Sequence, residues 1–128
     1  MDKKPTHLYL VDDDGEYRQS LVRLLRSAGY FTEAFPSAQS FLDSVPVDYK
    51  TGVLILDLRM PGMDGFALHD RLRGYRSELK VIFITADAQP GDRDRAIRSG
   101  AIGFLQKPFQ EESLFELIRE AMKEPEEQ

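Results

Sequence analysis

"GVLILDL" spans residues 52–58, and its reading decides the fold. The apolar run is short, unbroken and followed at once by loop chemistry, "MPGMDG" (60–65), with a proline and two glycines in six residues. A run of this kind marks a strand covered on both faces, as in a parallel sheet with helices packed on each side. Working outward, "KVIFITA" (80–86) is a second such run, "HLYLV" (7–11) and "AIGFLQ" (101–106) are further strands, and "FTEAF" (31–35) alternates like one. Helical spacing fills the intervals. "GEYRQSLVRLLRSAG" (15–29) places Tyr17, Leu21, Leu24, Leu25 and Ala28 on one face, with Gly29 suited to the stop. "SAQSFLDSV" (37–45) opens on Ser37 as N-cap, "FALHDRLRGY" (66–75) is a third helix, and "DAQPGDRDRAIRSG" (87–100) reads as loop then helix. "EESLFELIREAMKE" (111–124) repeats Leu114, Leu117, Ile118, Ala121 and Met122 at helical spacing. Five strand–helix pairs in series predict an α/β domain with a parallel sheet. The fourth helix is the weakest, with only Ala96 and Ile97 as apolar anchors, and is expected to be mobile. Phe31, Phe35 and Phe41 are expected in the core or against helices, and His7 and His69 lack metal-ligand spacing and read as structural.

The chain of 128 residues suits one domain and a real core. It has no stretch of eighteen apolar residues, and "MDKKPTHLYL" lacks the apolar segment and cleavage site of a signal peptide. The absence of cysteine excludes disulfides and thiolate metal sites. A cytoplasmic protein with no membrane association is expected. Residues 1–109 hold fifteen acidic and fifteen basic side chains, whereas residues 110–128 hold seven Glu against Arg119 and Lys123. The net charge of −5 therefore lies in the C-terminal segment and argues against direct nucleic-acid binding. The division expected is a domain over 1–124, with 125–128 a frayed tail or the start of a linker.

In a parallel α/β sheet the carboxyl ends of the strands share one edge, where sites form. The first strand delivers Asp12 and Asp13 to that edge and the third delivers Asp57; the fourth ends in Thr85 and the fifth runs into Lys107. Carboxylates about 4 Å apart repel by roughly 4 kcal/mol at an effective dielectric of about 20, so such a trio calls for a cation. The ligands are hard oxygens with no His or Cys among them, which favours Mg²⁺. Asp57 would then act as a carboxylate nucleophile forming an aspartyl phosphate, with Thr85 and Lys107 on the phosphoryl oxygens.

"LVDDD" (10–14), "LILDLRMPGMDG" (54–65), "FITA" (83–86) and "FLQKPF" (104–109) resemble, in order and spacing, the receiver domain of two-component response regulators. The resemblance covers roughly residues 6–124. It implies a flavodoxin-like (βα)5 doubly wound sheet in the order 2-1-3-4-5. It also implies a signalling switch phosphorylated on Asp57 by a sensor histidine kinase, with no activity beyond its own phosphorylation and dephosphorylation. By that match Asp12, Asp13, Asp57 and the backbone carbonyl of Arg59 hold Mg²⁺, Thr85 and Phe104 are the switch side chains, and the Lys107–Pro108 peptide is cis. Arg59 and Asp87 match positions that modulate hydrolysis, and an ion pair between them across the mouth of the site is expected. "HLYLVDDD", "SAQSFL" and "DLRMPGMDG" are most similar to regulators with a LuxR-type helix-turn-helix output. Phosphorylation is expected to promote a homodimer through the fourth helix, fifth strand and fifth helix, where Arg93, Arg95 and Arg98 face Glu111, Glu112, Glu116, Glu120 and Glu124 across a two-fold axis.

Each residue also has a plainer reading. Asp12 and Asp13 would suit a helix N-terminus, and Asp14 reads as a capping acid. Thr85 is a good strand former, Lys107 an ordinary surface lysine, and Phe104 a core aromatic; Gly62 and Gly65 read as turn residues. Two enzymatic or carrier readings fare worse. A haloacid-dehalogenase-type nucleophile would need a second acid two residues on, where this chain has Arg59, and a flavodoxin-type carrier would need a Ser/Thr/Gly phosphate loop where this chain has "DDDGE". A phosphorylation-independent pseudo-receiver is the remaining alternative, and it would be expected to lack one of the acidic pair, the acceptor or the lysine.

Overall fold

The computed structural model describes residues 7–44, 51–75 and 78–123. Strands β1 (His7–Val11), β2 (Phe31–Phe35), β3 (Thr51–Asp57), β4 (Glu78–Thr85) and β5 (Gly103–Gln106) alternate with α1 (Gly15–Ser27), α2 (Ala38–Ser44), α3 (Gly65–Leu72), α4 (Asp92–Arg98) and α5 (Glu111–Met122). All four strand pairings are parallel, in the order β2-β1-β3-β4-β5. This is the doubly wound, flavodoxin-like arrangement expected from the sequence.

Strand alternation divides the core in two. Tyr9, Val11, Leu54, Leu56, Val81 and Phe83 pack with Phe41, Phe66, Leu68 and Ala96 of α2, α3 and α4. Leu8, Leu10, Val53, Ile55, Ile82 and Ile84 point the other way, onto Leu21 and Leu25 of α1 and Leu114 and Ile118 of α5. Because β1, β3 and β4 are buried on both faces, their sequences read as continuous apolar runs.

Helix ends follow local chemistry. Asp14 caps α1 by accepting from the Tyr17 N–H at 3.1 Å. At the other end Gly29, with φ 94°, lets the Gly29 N–H reach the Arg26 carbonyl and the Tyr30 N–H reach the Leu25 carbonyl, the double closure of a Schellman motif. Ser37 caps α2: its Oγ accepts from the Ser40 N–H at 3.0 Å while the Ser40 Oγ accepts from the Ser37 N–H at 3.2 Å.

Several boundaries differ from expectation. Helix α3 stops at Leu72 rather than 75, because Arg73, Gly74 and Tyr75 donate three residues back in a tightened last turn. Strand β4 begins two residues early, since Glu78 and Leu79 join the backbone ladder opposite Thr51 and Gly52 with no apolar requirement. Strand β5 starts only at Gly103, because the Ala101 N–H is spent closing α4 on the Ala96 carbonyl. Phe35 and Phe41 are buried as expected, but Phe31 is 58% exposed on the edge strand β2, where its ring meets His7. Ile97 does not anchor α4; it is 54% exposed, and Ala96 alone is buried of the expected pair. The tail from 124 onward, including Glu124, lies outside the described residues.

Candidate functional site

Asp12 follows β1 directly and Asp57 ends β3, and both are buried, at 0% and 5% exposure, while Asp13 is exposed. One carboxylate oxygen from each of Asp12, Asp13 and Asp57 lies within 4.8 Å of the others. Asp12 is the best satisfied. Its Oδ1 accepts from the Asp14 N–H at 2.9 Å, its Oδ2 from the Lys107 Nζ at 2.8 Å, and its backbone carbonyl from Arg18 Nη1 at 2.7 Å. Asp57 is different. Burial first, then the neighbouring Asp12 charge, push its carboxyl up to about 7, with Asp13 adding and Lys107 opposing. Three acids so placed carry more negative charge than one lysine offsets. An all-oxygen donor set with one exposed member fits a hard divalent cation such as Mg²⁺.

Lys107 comes from the opposite end of the chain, just past β5, and the Lys107–Pro108 peptide is cis. Its backbone N–H donates to the Thr85 carbonyl at 2.8 Å, which fixes where the side chain sets out. The side chain is 11% exposed, and its ammonium sits 4.0 Å from the centre of the Tyr17 ring. Tyr17 was read in the sequence only as part of an apolar helix face. Here burial, then Asp12 and Asp57, push its phenol up to about 12, so the ring stands beside the carboxylates as a neutral group. Thr85 is fully buried, and its Oγ1 accepts from the Asp87 N–H at 3.1 Å. Phe104 is also buried, with the Arg93 guanidinium 5.1 Å from its ring centre and Arg93 Nη1 donating to its carbonyl at 3.3 Å.

These strand ends meet because the loop after β3 is tight. A Cβ on Gly65 would stand 2.7 Å from the Asp57 carbonyl oxygen and 2.9 Å from the Leu58 Cα, both backbone atoms that cannot give way. The demand on Gly65 is therefore close approach, not the turn geometry expected of it.

The expected Arg59–Asp87 pair does not form. Arg59 Nη2 pairs instead with Asp92 Oδ2, at the start of α4. Asp92 is 8% exposed and also accepts from the Gln89 N–H at 2.8 Å, so its carboxylate needs a cation, whereas Asp87 is exposed and accepts from Gln89 Nε2 at 2.7 Å. Sequence reasoning missed Asp92; the signal was an acid in the first turn after "QPG". A double-mutant cycle between Arg59→Ala and Asp92→Ala is expected to give a coupling of about 1–2 kcal/mol in urea unfolding, above the usual exposed pair. Arg59→Ala with Asp87→Ala should be additive; coupling to Asp87 and none to Asp92 would refute the assignment.

The two histidines are structural. His69 stands edge-on to Phe83 with its Nδ1 3.2 Å from Ser99 Oγ, and burial holds its pKa below the usual value. His7 stacks on Tyr9.

The sequence matches the Response regulator receiver domain family over residues 8–119. The chain belongs to that family. The receiver is 37% identical over 120 residues to the transcriptional regulatory protein FixJ of Bradyrhizobium diazoefficiens, covering 94% of this chain and 58% of that one. The structure of the response regulator StyR superposes with a TM-score of 0.84 at 39% identity, over 93% of this chain and 60% of the other. That of the Vibrio cholerae chemotaxis protein CheY4 gives a TM-score of 0.76 at 25% identity, over 93% of this chain and 100% of the other. The receiver thus spans a little over half the length of the curated relatives it matches first. Among its described residues no helix is long and apolar enough to cross a membrane.

Proposed function

We propose that the chain is a phosphorylation-dependent switch in which Asp57 accepts a phosphoryl group from a phosphohistidine of a sensor kinase. The observation that carries this reading is the Asp12–Asp13–Asp57 cluster with Lys107 held at its edge on Asp12. A lone pair on an Asp57 carboxylate oxygen forms the new O–P bond as the donor P–N bond breaks. The electron pair of that bond leaves on the imidazole nitrogen. Asp12, Asp13, Asp57 and the Arg59 carbonyl would hold Mg²⁺, which supplies charge neutralisation at the phosphoryl oxygens. Lys107 contributes a point charge there, and Thr85 a hydroxyl once it leaves the Asp87 N–H. Hydrolysis returns the carboxylate and resets the switch. The test is uptake of one phosphoryl group, read by intact mass. A pseudo-receiver reading has less support, because the acidic pair, acceptor and lysine are present together.

The output is a change on the α4–β5–α5 face, read by a partner domain of the LuxR-type helix-turn-helix class in the cytoplasm; the receiver itself makes no nucleic-acid contact. Thr85 and Phe104 would be the moving parts, and Arg59 and Asp87 would tune the lifetime. The same face would pair two loaded copies. Arg93, Arg95 and Arg98 are exposed on α4, while Glu111, Glu112, Glu116 and Glu120 line α5, of which Glu112 and Glu120 already pair within the chain with Arg119 and Lys123. Sedimentation should show a dimer with a beryllofluoride phosphoryl mimic, weakened by salt and by Arg98→Glu. A fully loaded chain that stays monomeric would dismiss this face.

A further inference from the structure

We propose that Tyr17 is a positioning residue for Lys107, holding the ammonium at the pocket while it exchanges Asp12 for an oxygen of the phosphoryl group on Asp57. The proposal rests on the phosphoacceptor reading of Asp57. Its starting point is that the Lys107 ammonium has two partners of different kinds: Asp12 Oδ2 at 2.8 Å and the Tyr17 ring at 4.0 Å. The first of these must be surrendered. Asp12 is also a candidate metal ligand, and a carboxylate engaged with a divalent cation attracts an ammonium weakly while the cation repels it. The second partner need not change, because an aromatic face offers its negative quadrupole and no lone pair for a metal to take.

The local structure keeps the ring in place. Tyr17 is the third residue of α1, and its N–H is fixed by the capping carboxylate of Asp14. One residue on, Arg18 Nη1 ties the same turn to the Asp12 carbonyl. Tyr17 itself is half-buried against the α1–α5 side of the core. The three acids that open the site therefore divide their work: Asp12 holds the ammonium, Asp13 faces solvent beside it, and Asp14 sets the backbone of the ring that backs the ammonium. A lysine only 11% exposed would be costly to leave without any partner once Asp12 is withdrawn. The ring removes that cost and covers one side of the pocket from water.

The test compares Tyr17→Leu, which keeps bulk and loses the quadrupole, with Tyr17→Phe, which keeps the ring. Acetyl phosphate with Mg²⁺ is the donor, and both uptake and loss of the phosphoryl group are followed by intact mass. Tyr17→Leu is expected to slow uptake and hasten loss by about fivefold to tenfold, the scale of one partly desolvated cation–π contact. Tyr17→Phe should restore both rates. In a Lys107→Ala background Tyr17→Leu should change nothing further. By NMR, the Lys107 Cε protons should carry an upfield ring-current shift in the wild type and in Tyr17→Phe, absent in Tyr17→Leu. The proposal falls if Tyr17→Leu matches the wild type, if Tyr17→Phe fails to rescue, if the loss persists without Lys107, or if the ring-current shift is missing. A wild type that takes up no phosphoryl group overturns the phosphoacceptor reading, and this proposal with it. A labelled wild type with an indifferent Tyr17→Leu overturns this proposal alone.

Discussion

Asp57→Asn is expected to stay at its unlabelled mass after incubation with acetyl phosphate and Mg²⁺, while the wild type gains one phosphoryl group. The substitution keeps the shape of the side chain at the end of β3 and removes the anionic oxygen that must attack phosphorus. Loss of a nucleophile costs about a thousandfold or more in rate. Asp12 would not replace it, because its Oδ1 is held by the Asp14 N–H and its other oxygen would be committed to the cation. Excess chelator should abolish labelling of the wild type as well, since the trio then lacks the counter-charge it needs. Equal labelling of the Asn variant, or full labelling in chelator, would remove Asp57 from the role.

The second large effect concerns stability and pH without added cation. A carboxyl held near 7 in the folded chain ionises near 4 when unfolded, so between those values the folded state binds the extra proton. Stability contributed by the protonated acid is fully present below about pH 4 and is lost progressively as pH rises to about 7. Each pH unit of separation is worth about 1.4 kcal/mol, which sets a ceiling of about 4 kcal/mol for Asp57. Metal-free wild type should therefore unfold at lower urea at about pH 8 than at about pH 5. Asp57→Asn should be more stable than wild type at the higher pH by about 2–4 kcal/mol, and by no more than about 1.4 kcal/mol at the lower. Mg²⁺ should restore the wild type selectively above pH 7, where the carboxylates are charged. A metal-free wild type indifferent to pH across this range would show that Asp57 ionises as an ordinary acid.

The strands and the trio were legible in the sequence for one reason. Strands β1, β3 and β4 are buried on both faces, so "VLIL" and "VIFI" could be little else, and whatever polar group ended each run had to reach the common edge. Lys107 was legible because it follows the last strand. The partner of Arg59 was not. It depends on where α4 begins, and the turn before Asp92 gives no apolar signal to locate that start. The environment of Tyr17 was hidden for a different reason: its ring sits at a helical spacing that predicts core, and the group that gives it another use is ninety positions away, brought near only by the sheet. Ile97 misled because α4 runs only from Asp92 to Arg98 and buries Asp92 and Ala96 alone.

That last feature has a mechanical consequence. Helix α5 would have to expose Leu114, Ile118 and Ala121 to leave the sheet, whereas α4 exposes one methyl group, that of Ala96. At about 0.8 kcal/mol for each buried carbon, the apolar surface that α4 itself contributes to the core is small. What holds it is exchangeable: Arg59 on Asp92, Arg93 on the Phe104 carbonyl, Arg73 on the Ser99 carbonyl, and the Arg95 guanidinium over the Phe66 ring. Such contacts can be traded for water or for another surface one at a time. The helix whose Arg93 reaches the Phe104 carbonyl is thus attached by fasteners and not by glue.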